Sequence, residues 1–141
     1  MGKYPRSGRS FVLVNNMKTI EDAPLANGHN LKRAVSEIAK KMDKEEDIFV
    51  LFLTSHGHED HQLSTNFSPF RLNDISPATI REALENAEIK WRIIIVSACY
   101  AGGFIKPLAN ANTLLITAAK SDRKSFGCGH DGQYTYFGEA Y

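Results

Sequence analysis

Cysteine is scarce in this chain. Cys99 and Cys128 are the two among 141 residues, which is too few for a disulfide framework and leaves the redox compartment undecided. Each is therefore weighed as a thiol. Long hydrophobic runs are also missing: the longest, IFVLFL (48–53) and IIIV (93–96), fall far short of the roughly 20 residues of a membrane helix. Residues 1–20 lack the apolar core of a signal peptide, so the chain as given is expected to be soluble, with no compartment indicated. No sign of charge dominates. Seventeen basic residues face sixteen acidic ones for a net +1, and the basic residues are scattered, so no phosphate-tracking stripe forms and nucleic acid is not an expected partner. Repeats, low-complexity tracts and Gly/Ser linkers are absent too, which excludes a solenoid and a visible domain boundary.

What remains is ordinary for a globular protein: 43% hydrophobic and 23% charged residues. The length suits one domain with a real core, taken as residues 1–141 with 1–10 as a tail or loop. FVLV (11–14), closed by two asparagines, reads as a short buried strand. From Asn30, a plausible N-cap, the residues Leu31, Ala34, Val35, Ile38, Ala39 and Met42 recur at helical spacing. Ser76-Pro77 is a helix start, with Ile80, Ala83, Leu84 and Ala87 on its apolar face. Residues 48–53, 91–96 and 113–117 are strands apolar enough to be buried on both faces. Strand and helix thus alternate, which predicts an α/β fold with a mainly parallel sheet and ligands at the carboxyl ends of its strands. The longest irregular stretches are 56–75 and 120–134.

Two segments at those ends carry chemistry. TSHGHEDHQ (54–62) holds the pattern H-x-H-x-D-H, in which His56, His58, Asp60 and His61 could ligate a hydrolytic zinc. Further ligands are few, and zinc hydrolases with this signature are two-sheet sandwiches, so a solvated loop is the simpler reading for His58 and His61. The other segment, SACYAGGF (97–104), places Cys99 just past the WRIIIV strand. A lone cysteine at a strand end is more often a structural thiol than a nucleophile. Here, however, His56 ends another apolar strand, and two adjacent parallel strands would set imidazole and thiol side by side at one sheet edge. Gly57 and Gly102-Gly103 leave open backbone beside both groups, which suits an oxyanion hole and acyl transfer.

IFVLFLTSHG (48–57) and WRIIIVSAC (91–99) resemble the two strand-to-dyad segments of caspase-like cysteine peptidases. Within that clan the chain is similar to the legumain family of asparaginyl endopeptidases, particularly its bacterial members. The likeness continues through LLITAAKSDRKSFGCGHDGQYTYFGEAY (114–141) and covers most of residues 11–141. It implies a three-layer α/β/α caspase-like fold and a cysteine endopeptidase acting on peptide or protein substrates without a cofactor. By position, it makes Cys99 the nucleophile, His56 the general base and then acid, and the backbone of Gly57 and Cys99 the oxyanion donors. It also places Ser97, Ser125 and Glu139 in the substrate pocket and leaves Cys128 a structural thiol. Ser97 stands where eukaryotic legumains carry a glutamate, so strict asparagine specificity is not implied. The family's strand before Phe11, which brings a pocket arginine, is not evident, and the chain stops at the start of an expected helix. The sheet is thus expected to be incomplete at both ends. The zinc hydrolase and a non-catalytic caspase-like module that binds a partner through the same cleft are the competing readings.

Overall fold

The structure, a computed structural model, describes residues 8–125 together with Phe137. Helix α1 spans Gly28–Ala39 and buries Leu31, Ala34, Val35 and Ala39. Its cap is Asn27 and not Asn30: the Asn27 side chain accepts the Asn30 N–H at 2.8 Å, while the Asn30 amide donates to the Leu25 carbonyl at 2.9 Å. The apolar stripe begins only at Leu31, so the polar first turn left no periodic signal. Helix α2, Pro77–Asn86, starts as its sequence predicts. Ser76 accepts the Thr79 N–H at 3.2 Å, and proline occupies the first turn. Replacing Ser76 with alanine orphans that N–H and is expected to cost about 1 kcal/mol, read as a lowered urea midpoint with an unchanged m-value.

Strands β1 (Ile48–Thr54), β2 (Trp91–Ser97) and β3 (Thr113–Thr117) form one parallel sheet in the order β1-β2-β3. Between β2 and β3 lie a 3-10 turn, Ala101–Phe104, and a short helix α3, Ile105–Leu108. Sequence periodicity had shown neither. The α/β class and the parallel sheet agree with expectation.

Double burial of the strands does not hold among the described residues. Side chains alternate along a strand. Phe49, Ile94 and Val96 join the buried cluster with Leu31, Val35, Ile80 and Leu84, whereas Ile48, Val50, Phe52 and Leu114 are 55% to 62% exposed. The physical reason is that α1 and α2 pack on each other and share one cluster with a single sheet face. FVLV (11–14) is a second correction. Among the described residues it pairs with no strand, its Val14 N–H donates to the Pro24 carbonyl at 3.0 Å, and Phe11 and Val12 are exposed while Leu13 packs on the core.

Candidate active site

The last paired residues of β1 and β2 are Thr54 and Ser97. His56 and Cys99 each stand two residues further on, at the carboxyl edge of neighbouring strands. The two exits stay together, because the Ser55 N–H donates to the Ser97 carbonyl at 3.3 Å. They close further at Gly57. A β-carbon there would fall on the Cys99 carbonyl oxygen and lie 2.9 Å from its carbon and 3.2 Å from its nitrogen, so only glycine fits this approach.

Beyond Gly57 the chain makes a tight hairpin. The His58 N–H donates to the Gln62 carbonyl at 3.0 Å and the Ser64 N–H to the His56 carbonyl at 2.9 Å. Gly57 and Leu63 face each other between these bonds, so the Gly57 N–H is not spent in the hairpin. Leu63 pairs in turn with Ile75 and is buried. Asp74 accepts the Thr65 N–H at 2.9 Å. A stretch with no periodicity in sequence is therefore held by a ladder of local bonds.

Cys99 is partly buried. Its sulfur accepts the backbone N–H of Ser125 at 3.3 Å and lies 3.7 Å from the Ser125 hydroxyl. The Tyr100 N–H donates to the Arg123 carbonyl at 2.8 Å, so the segment after β3 is tied to the cysteine loop at two adjacent residues. Tyr100 itself has a left-handed backbone, φ +55°, a conformation that costs a non-glycine residue energy and recurs at functional sites. Its hydroxyl donates to Glu59 at 3.1 Å. Burial first, then the hydrogen bond and charge of Glu59, hold that hydroxyl above its usual range, so it remains a donor at neutral pH. The His56 ring is exposed and makes no hydrogen bond to Cys99.

Ser97 is buried at the end of β2, and Ser125 touches the Cys99 sulfur, so both lie at the same edge as His56 and Gly57. Glu139 and Cys128 fall outside the described residues. The HGHEDH segment does not gather as a ligand set. His58 pairs with Asp74 at 3.4 Å, Asp60 accepts from Gln62 at 2.9 Å, and the His61 Nε2 lies 3.0 Å from the Ser121 carbonyl. No three His, Cys, Asp or Glu residues converge on a metal-sized position among the described residues. His58 and His61 are thus engaged with protein groups and not merely solvated. Glu59 and Tyr100 were missed in the sequence, since a solvent-type acid and an aromatic 41 positions apart give no pattern.

A parallel α/β sheet carrying a partly buried thiol in the loop at its carboxyl edge is the framework of a cysteine-type peptidase of caspase-like fold. A sequence model of the Peptidase C13 family, the legumain family, matches residues 26–141, and the chain belongs to that family. Among curated proteins, none matches the chain. No described helix is long and apolar enough to cross a membrane.

Proposed function

We propose that this cysteine peptidase works through a Cys99–His56 dyad and a thioester acyl-enzyme. The observation that carries the reading is the contact of Gly57 with the Cys99 backbone, which brings the two strand exits together. His56 takes the Cys99 proton as the sulfur attacks the scissile carbonyl, then gives it to the departing amine. Water next attacks the thioester, again through His56, and frees the acid and the thiol. The N–H groups of Gly57 and Cys99 receive the negative charge that develops on the carbonyl oxygen. Free thiols ionise near pH 8.5 and are intrinsically nucleophilic, so no third, carboxylate member is required. The family resemblance assigns Ser97, Ser125 and Glu139 to the pocket for the residue preceding the cleaved bond, where a hydroxyl and an acid would favour an amide or cationic side chain.

The test is iodoacetamide labelling of Cys99 and Cys128 against pH, mapped by peptide mass, in wild type and His56→Ala. Cys99 is expected to label well below pH 8.5 and to lose that advantage without His56, with turnover of a peptide substrate falling about 10²–10⁴-fold. Equal labelling of both thiols, unaffected by His56→Ala, sinks the dyad.

A further inference from the structure

His61 belongs to the motif that first suggested zinc, yet nothing in the peptidase reading uses it. Its backbone has φ +62°. It closes the three-residue loop 59–61 of the hairpin, with its N–H donating to the His58 carbonyl at 3.0 Å. Glycine is the usual residue at a left-handed position in such loops, and histidine there costs roughly 1–2 kcal/mol. The side chain gives a reason for that cost. The imidazole lies on Gly103, where a β-carbon would overlap ring atoms Cδ2 and Cγ and come within 2.5 Å of Nδ1. Its Nε2 is 3.0 Å from the Ser121 carbonyl. A carbonyl only accepts, so Nε2 carries the proton and donates.

One side chain thus joins three segments: the hairpin that begins at His56-Gly57 and carries it, the turn that follows Cys99, and the segment after β3 that brings Ser125 to the sulfur. The Tyr100–Glu59 hydrogen bond crosses the first two of these beside it. We propose that His61 is a positioning residue, its imidazole locking the His56 hairpin onto the Cys99 loop so that the base stays within reach of the thiol. The inference rests on the dyad reading. His61 touches no reacting atom and acts through His56.

The experiment is a double-mutant cycle on the full chain. It reads the iodoacetamide labelling rate of Cys99 at pH 6.5, with a thermal melt recorded for every variant. His61→Gly relaxes the left-handed backbone and removes only the ring. It is expected to slow Cys99 labelling about tenfold in the wild-type background and less than about twofold in His56→Ala, because a residue that works through His56 has nothing left to position. His61→Gln keeps a planar donor for the Ser121 carbonyl and is expected to stay within about threefold of wild type. Gly103→Ala leaves His61 in place but fills its seat. It is expected to reproduce the His61→Gly loss, and it carries the test if His61→Gly does not fold. Unchanged labelling in His61→Gly or Gly103→Ala overturns the proposal, as does an equal loss in both backgrounds, the mark of general loosening. If His56→Ala alone changes nothing, the dyad fails and the positioning role falls with it. That failure is seen without any His61 variant.

Discussion

Gly57→Ala is expected to lose at least about 100-fold in turnover while remaining folded. The new methyl group would fall on the Cys99 carbonyl oxygen and 2.9 Å from the carbonyl carbon, where neither partner is a flexible side-chain end. Backbone has to move on one side or the other. Overpacking of this kind costs about 1–3 kcal/mol, below the roughly 5–15 kcal/mol that holds a domain together, so the fold survives. The separation of the strand exits does not. Moving the hairpin displaces the His56 ring and the Gly57 N–H together, and in the proposed mechanism, where that N–H is an oxyanion donor, its loss alone is worth about 10²–10³ in rate. Turnover of a peptide substrate and Cys99 labelling should fall in parallel, with Cys128 labelling unchanged. A Gly57→Ala protein that keeps half of wild-type turnover would remove Gly57 from the machinery.

The parts of this site that could be read in the sequence are those fixed by strand ends. IFVLFLTSHG and WRIIIVSAC each run an apolar strand directly into a reactive residue, and parallel pairing then sets His56 and Cys99 level, as the Thr54–Ser97 register does. The apolar strands themselves were over-read. A run that is apolar at every position predicts two covered faces, but Val50 and Phe52 remain exposed because both long helices share a cluster with the other face. FVLV (11–14) misled for a related reason: β-rich composition makes a strand only where a neighbour takes its backbone bonds, and here one bond to the Pro24 carbonyl is all that Val14 donates. The clasps around the site were invisible. His61 on Gly103 and Tyr100 on Glu59 depend on left-handed backbone at His61 and Tyr100 and on loops distant in sequence that the sheet brings together. Residue type and spacing carry no record of either.

The largest loss of stability should come from Phe104, the residue that ties the thiol loop to the core. The 3-10 turn Ala101–Phe104 begins two residues after Cys99, with Tyr100 as its cap. Its first and last side chains are 0% and 1% exposed, with the glycine pair between them. Phe104 is among the largest fully buried side chains, in one cluster with Ile80, Leu84 and Ile94. Removing a buried phenylalanine ring costs about 3–5 kcal/mol from lost transfer and the cavity left behind, so Phe104→Ala is expected to lower the urea midpoint by roughly 2 M. Phe104→Leu, which refills most of the volume, should cost about 1 kcal/mol. The consequence for the site follows from the covalent path: four residues lie between Cys99 and Phe104, and without the ring the buried side chains left beside them among the described residues are Ala98, Ala101 and Leu108. Cys99 labelling at low pH should therefore decline in Phe104→Ala even at temperatures where the protein is still folded. A Phe104→Ala variant destabilised by less than 1 kcal/mol would mean that the Cys99 loop is held from elsewhere, with the contact of Gly57 on the Cys99 backbone the leading alternative.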